Sequence, residues 1–505
     1  MLLVVLMLAP LVTALACWPS TRLRRLEVVS TIGAVATLAA AAVVVVRVAR
    51  DGPLDGPWDV LYVDALSALM IGVIAAIGCA AALVSVRYLR HDLALNHVPQ
   101  REVGARWYYI GLHAFIWTML ATVSVDNLGL LWVGIEATTL ASALLVGFYR
   151  TEAALEAAWK YIVICTVGIT VALFGVLLTY YAAHQGGGPA TLEWSTLAPR
   201  AAELDPAMMR LAFVCVLVGF GTKAGFAPLH TWLADAHSQA PSPISALLSG
   251  VLLSCALYGI LRFYVVTAGA AGSVFPSRFL LAFGVLSVAV AVPFMVVQRD
   301  LKRLLAYSSV EHLGLIAVAI GIGGPLGVYA GLLHLVNHAA TKALLFFVAG
   351  DLVQRFGTRQ LGAIRGAIQV APLLGWGLLL GVLAIAGAPP AGIFISELGI
   401  VGAGLTGNRV EIAAGVAVVL LLGVAFAALL GHAIGLAYGT PRRTTGAVGH
   451  PAAPVTRGPR WSLAAAAIPL VAVVLLFGIH VPGAVDEFLR DVASVLEPIS
   501  VEATR

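Results

Sequence analysis

Apolar residues run in blocks of about 20 along most of the chain, broken by short polar stretches, and that length is what a helix needs to cross roughly 30 Å of hydrocarbon. Fourteen blocks predict helices near 1–17, 28–49, 60–86, 107–124, 127–149, 157–182, 209–234, 243–267, 276–298, 304–323, 326–350, 368–404, 411–438 and 461–482. The expected fold is therefore an all-α polytopic membrane protein of about 14 transmembrane helices. The first block has no basic stretch ahead of it, and Ala14-Leu15-Ala16-Cys17 is only a loose lipobox, so 1–17 reads as a retained helix rather than a cleaved signal.

Composition sharpens this. Of 505 residues 60% are hydrophobic and 11% charged, with a mean hydropathy of +0.97. A soluble fold of this size needs far more than these 55 charged side chains (30 basic plus 25 acidic), which excludes nucleic-acid binding and cytosolic catalysis. The five cysteines, at 17, 79, 165, 215 and 255, lie in apolar runs without a CxxC or Cys/His cluster. No iron–sulfur, zinc or disulfide chemistry is expected in this chain. Nineteen of the thirty Lys and Arg follow odd-numbered spans, among them Arg22, Arg24, Arg25, Arg299, Lys302, Arg303, Arg442 and Arg443. Nine lie after even-numbered spans or the last one, with residues toward a span's end counted with the adjoining loop throughout, and two lie mid-span. By the positive-inside rule the odd loops face the cytoplasm and both termini lie outside it.

Only four of the thirty basic residues are lysine, and two of these, Lys223 and Lys342, sit mid-span. Arginine keeps its proton in a protein whereas a desolvated lysine can release it, so a lysine at membrane depth points to proton exchange. Glu136 lies near the middle of span 5, where a lone carboxylate is costly. In span 7 Lys223 stands just before Pro228, which frees the Ala224 carbonyl, between Gly221 and Gly225; this predicts a broken helix with a hydratable gap. Pro389 and Pro390 break span 12 in the same way a few residues before Glu397. Counterparts five spans apart run in opposite directions, so spans 4–8 and 9–13 form two inverted five-helix repeats with broken helices 7 and 12. The chain then divides into an N-terminal three-helix segment (1–106), two half-channel repeats (107–267 and 268–440) and a C-terminal helix and tail (441–505).

His334, His338 and Lys342, spaced i, i+4, i+8, share one helical face over about 12 Å. Imidazole and amine at that spacing can relay protons through one or two waters. Glu311 and His312 add polar groups in the neighbouring span, giving a path in the membrane plane. Secondary candidates are Lys160, His230, Asp235 and Ser254. Each feature has a plainer reading too: Glu136 and Lys223 fit an inert buried ion pair, and His334 alone fits a satisfied core histidine. Asp235 fits either an exit lining or a cap on the next helix. Asp64 and Asp126 read as interfacial, His113 and His432 as packing residues, and Asp300, Lys302 and Arg303 as loop anchors.

The segments GFGTKAGFAPLHTWLADAHSQAPSPISALLSG (219–250), QRDLKRLLAYSSVEHLG (298–314) and PPAGIFISE resemble the antiporter-like subunits shared by respiratory complex I, Mrp-type cation/proton antiporters and membrane-bound hydrogenases. WVGIEATTLASALLVGFYR, EAAWKYIVICTVG and PSPISALLSGVLL are most similar to the F component of the hydrogenase-4 and formate hydrogenlyase type. The resemblance implies a fourteen-helix core in a prokaryotic plasma membrane, no redox cofactor, and membrane and peripheral partner subunits. It implies that Glu136 and Lys223 form the switchable ion pair of the first half-channel. It makes Lys342 with His338 the central relay, and Glu397 the terminal acid of the second half-channel. Two departures stand out: Ser254 occupies a span 8 position where many members carry lysine, and the long amphipathic lateral helix of the longest members does not follow span 14. The chain thus looks like an inner or hydrogenase-type member. Its expected role is proton translocation within a hydrogenase or NADH-quinone oxidoreductase-like complex. The alternatives are a Na⁺/H⁺ antiporter subunit of Mrp type, the membrane partner of an inorganic-carbon uptake complex, and a passive scaffold.

Overall fold

The computed structural model describes residues 1–186, 189–440 and 460–497, without the side chains at 58, 460 and 461. The basic loop residues Arg442 and Arg443, and with them 441–459 and 498–505 of the predicted C-terminal segment, lie outside the described residues. The described residues are mostly helical, joined by loops and one short hairpin of two-residue strands, β1 (Leu54–Asp55) with antiparallel β2 (Tyr62–Val63). The helices are α1 (Leu2–Cys17), α2 (Leu23–Asp51), α3 (Ala65–Ala94), α4 (Arg101–Ser124), α5 (Leu128–Val146) and α6 (Glu152–Gln185). Span 7 is split into α7 (Pro206–Ala224) and α8 (Thr231–Gln239). Then come α9 (Ser242–Ala271), α10 (Val274–Val297), α11 (Leu301–Ile322) and α12 (Gly324–Phe356). Span 12 is split into α13 (Pro372–Ile385) and α14 (Gly392–Leu405). α15 (Arg409–Tyr438), α16 (Arg460–Ile479) and α17 (Gly483–Leu496) complete the chain. Counting each split pair as one and leaving aside α17, which is not an apolar span, gives the fourteen expected spans, with the breaks where the prolines predict them.

Spans start where polar caps take up orphan backbone N–H groups. Asn127 caps α5, Thr151 α6, Asp205 α7 and Asp300 α11, and Asn408 with Glu411 forms a capping box on α15. α9 is buried from Ser242 to Ala268, and α3, α11 and α12 are mostly buried, so these four make the core. α2, α6, α15 and α16 form the rim, where Ile32, Val167, Leu420 and Ile468 stay exposed as lipid-facing residues do. Where no hydrophobic force separates lipid from helix, close approach of small residues holds helices together. α10 and α11 meet in this way: a Cβ on Gly284 would stand 2.6 Å from the Gly314 carbonyl oxygen.

α17 carries its apolar residues Leu489, Val492 and Leu496 at helical spacing and packs them on α12 and α3. The Tyr329 hydroxyl donates to Asp486 Oδ1 at 2.6 Å and Arg490 pairs with the same carboxylate at 3.0 Å. Tyr329 first, then Arg490, holds the Asp486 carboxyl below its usual range. A depressed carboxyl stabilises docking above its unfolded value of about 3.9 and loses that contribution as pH falls through the folded value. Asp486→Asn is expected to loosen the helix at neutral pH, read as faster hydrogen exchange over 483–496 with the rest unchanged.

Candidate functional site

Lys223 occupies the last turn of α7, which ends where Gly225 takes the left-handed conformation (φ +81°) and lets the Phe226 N–H return to the Gly221 carbonyl at 2.8 Å. The indole of Trp232 on α8 donates to the Thr222 carbonyl at 2.9 Å, and Ser287 Oγ on α10 accepts the Ala227 N–H at 3.0 Å. The gap at Pro228 is thus satisfied by side chains, which is how a membrane helix tolerates a break. Within it Lys223 is fully buried. Its ammonium donates to Thr139 Oγ1 at 2.7 Å and to the Tyr161 hydroxyl, and lies 4.5 Å from the Tyr161 ring centroid and 6.0 Å from that of Trp232. Tyr161 is held in turn by Ser142 at 2.7 Å. An aromatic and hydroxyl cage can keep an ammonium at depth without a counter-ion.

The expected Glu136–Lys223 ion pair is not formed. Thr139, one turn beyond Glu136 on α5, faces Lys223, whereas half-buried Glu136 turns towards α6 and accepts from Thr166 Oγ1 at 3.0 Å. Its second oxygen is buried without a hydrogen-bond partner among the described residues. The two charges therefore rest apart, each on hydroxyls.

Around α12 the stripe His334, His338, Lys342 is fully buried, as are Glu311 and His312 on α11. Its partners come from neighbouring helices. Lys342 donates to the Leu305 carbonyl at 2.7 Å and to Ser308 Oγ, both on α11. His312 Nδ1 meets His334 Nε2 at 2.9 Å, and His334 Nδ1 meets Ser396 Oγ on α14 at 2.9 Å. His338 lies with its ring 5.4 Å from that of His312, and neither of its nitrogens has a hydrogen-bond partner among the described residues. The same holds for Glu311 Oε2. Imidazole and hydroxyl groups both donate and accept, so His312, His334 and Ser396 make a continuous chain from α11 to α14.

Ser396 immediately precedes Glu397, whose carboxylate lies against Gly387 in the break of span 12. A Cβ on Gly387 would stand 2.0 Å from Glu397 Oε2, and the residue's φ is +74°. Gly387→Ala is expected to destabilise by about 1–2 kcal/mol through the left-handed backbone and to displace the Glu397 carboxylate. Thermal unfolding reads the first effect and reactivity of Glu397 towards a carbodiimide the second.

The link between the two clusters passes through α9. Its turn at Leu248–Leu252 is a π-helix, whose Ser249 Oγ meets Ser309 Oγ on α11 at 2.7 Å, next to the Ser308 that holds Lys342. Ser254, five residues on, is fully buried with no hydrogen-bond partner among the described residues. Nothing on α9 replaces the absent lysine by a direct bond.

The secondary candidates separate. Lys160 is half exposed and pairs with Glu156 at 2.6 Å and Asp235 at 3.3 Å, while Arg303 pairs with Asp235 at 2.6 Å. Asp235 lies inside α8 and caps nothing. His230 stands at the N-cap of α8, buried edge-on against the stacked rings of Phe294 and Tyr307. Asp300 caps α11 and Lys302 donates to the Ala240 carbonyl at 2.5 Å, so both anchor a loop. Asp64 caps the start of α3. It is buried against Arg262, because the bidentate contact at 2.6 and 2.7 Å compensates its charge. Asp126 is buried too, accepting from the Ser195 N–H and hydroxyl at 2.9 and 2.6 Å. His113 meets Ser30 through Nε2, while its Nδ1 has no hydrogen-bond partner among the described residues, and His432 meets the Met295 carbonyl.

Sequence reasoning missed Thr139, Tyr161, Ser308, Ser309, Ser396, buried Asn337 and His237. A signal existed for some of them, since hydroxyl residues cluster beside charged ones in otherwise apolar spans: Thr138, Thr139 and Ser142 after Glu136, and Ser308-Ser309 before Glu311.

Residues 125–423 match the family model described as NADH:quinone oxidoreductase/Mrp antiporter, transmembrane. A hydrogenase-4 component F homolog of Methylacidiphilum infernorum is 41% identical over 390 residues, 77% of this chain and 81% of that one. NADH-quinone oxidoreductase subunit N of Desulforudis audaxviator is 30% identical over 346 residues, 68% of this chain and 66% of that one. A chain of the archaeal membrane-bound sulfane sulfur reductase superposes with a TM-score of 0.83 at 24% identity, covering 98% of both chains. The resemblance read from the motifs at 219–250 and 298–314 is borne out.

Proposed function

This chain belongs to the NADH:quinone oxidoreductase/Mrp antiporter transmembrane family, and from that premise we propose that it is the proton-translocating membrane subunit of a multisubunit redox complex of the hydrogenase-4 kind. Electron transfer takes place in partner subunits, and this chain moves H⁺ across a prokaryotic inner membrane, with both termini outside the cytoplasm. The observation that carries the reading is the pairing of two fully buried lysines, Lys223 and Lys342, with hydroxyls instead of carboxylates. An amine so held can give up its proton and keep a neutral hydrogen bond, which a lysine locked to a carboxylate does not do readily.

Moving one proton against ~150 mV requires roughly 3.5 kcal/mol. Bringing the Glu136 carboxylate up to a desolvated amine, or withdrawing it, supplies energy of that order. In the proposed cycle, charge displaced in a partner subunit draws Glu136 from Thr166 towards Lys223 or releases it. Lys223 passes its proton by water and the serines of α9 and α11 to Lys342. From there His338, His312, His334 and Ser396 lead to Glu397 and out. Substitution of Gly387 by Ala slows this last transfer through the displaced Glu397.

The test is to purify the chain in mild detergent with its partners, identify them, and reconstitute the assembly in vesicles. A hydrogenase large subunit and donor-driven pH change are expected. Sodium-dependent pH change with no electron donor would instead select the antiporter reading, which the Mrp half of the family description keeps in play.

A further inference from the structure

α3, α12, α13 and α16 enclose an elongated groove of about 880 Å³ that the proton path does not use. One end is polar, formed by Arg87 and His91 on α3 and by Asp351, Gln354 and Arg355 on α12. The other end reaches Thr341 and the break of span 12 at Ala388–Ala391. Between them the walls are apolar, with Leu344, Val348, Leu383 and Val471 facing inwards. Leu373, Leu380 and Ile468 at its edge are 79%, 61% and 67% exposed, so the groove opens sideways to the bilayer.

Length and charge name the occupant. Arg355 and Thr341 are fourteen residues apart on one helix, roughly 21 Å at 1.5 Å per residue. That is about the distance from the lipid head groups to the middle of the slab. The volume lies near the top of the ~300–1,000 Å³ range of ligand pockets. At the polar end Arg87 is matched by Asp351 at 3.2 Å. Arg355 has no ion pair among the described residues, and its Nε is buried without a hydrogen-bond partner. One uncompensated guanidinium thus stands at the head-group level of a chain-length apolar slot, and basic pockets between membrane helices take anionic head groups.

We propose that this groove binds a phospholipid with an anionic head group, its phosphate on Arg355 and an acyl chain laid along α12 as far as the break in span 12. Water in the same space would number about thirty molecules and would wet the break from the side of Arg355. The chain excludes it. This insulating role rests on the proton-path reading above, whereas lipid binding does not.

The test uses the detergent-purified assembly, delipidated and exposed to equal amounts of phosphatidylglycerol and phosphatidylcholine, with retained lipid read by native mass spectrometry. The wild type is expected to prefer phosphatidylglycerol about fivefold, the worth of one basic residue near an anionic head group. Arg355→Gln is expected to lose that preference while still retaining lipid, and Val471→Trp, which fills the slot, to lose both lipids. No preference in the wild type, an unchanged preference in Arg355→Gln, or full retention in Val471→Trp would overturn the proposal. So would a cross-link from a cysteine at 471 to polypeptide, which would show the groove filled by protein. Because the readout is mass, it stands or falls independently of proton translocation.

Discussion

Vesicles carrying Lys223→Met are expected to lose donor-driven proton movement by at least about 10²-fold, the usual scale for removing a group that takes part in proton transfer. Assembly should survive. Methionine fills the same apolar length, and the hydroxyls left behind keep other partners: Tyr161 retains Ser142 at 2.7 Å, and Thr139 reaches the Ile135 carbonyl at 3.4 Å. The cost in stability is then limited to weakened hydrogen bonds, about 1–3 kcal/mol. Co-purification of partners at wild-type yield, together with a collapsed pH gradient, separates loss of transfer from loss of folding. Thr139→Val is the milder companion, expected to slow movement without abolishing it, since Tyr161 still holds the amine.

The largest effect on stability belongs to a residue outside the relay. Arg262 on α9 joins both oxygens of Asp64 at 2.6 and 2.7 Å, donates to Ser67 at 2.8 Å, and lies 4.1 Å from the Trp194 ring centroid. It ties the central helix to the start of α3, and both partners are almost fully buried. Arg262→Leu leaves the Asp64 carboxylate buried with only backbone and hydroxyl contacts, at an expected loss of about 3–5 kcal/mol. Thermal unfolding in detergent checks it. Pairing the change with Asp64→Asn removes the stranded charge and keeps the cap on α3, so the double variant is expected to unfold at a higher temperature than Arg262→Leu alone.

Much of the architecture was legible because a bilayer imposes simple lengths. Twenty apolar residues read as a span, and Gly225-Pro228 and Pro389-Pro390 read as breaks, since proline removes a backbone donor whatever surrounds it. Spacing alone put His334, His338 and Lys342 on one face of α12. What spacing could not give is the partner across that face. Which hydroxyl meets Lys342 depends on how α11 crosses α12, and Gly284 and Gly314 set the position of α11 through its contact with α10. Glu136 and Lys223 were read as a pair because opposite charges at depth need compensation. The compensation came instead from Thr139, Tyr161 and Thr166, residues common enough in membrane helices to carry little signal singly. The pairing of Asp64 went unread for a related reason: its partner Arg262 lies 198 positions away, beyond any local pattern.

In the proposed cycle the buried lysines must release protons during turnover. Lys223→Arg tests it most directly, because arginine keeps the charge and hydrogen-bonding capacity but holds its proton. The measurement is donor-driven acidification in vesicles holding the variant assembly, with partner subunits present at wild-type ratio. Acidification at background level is the predicted result; acidification at the wild-type rate would contradict the account.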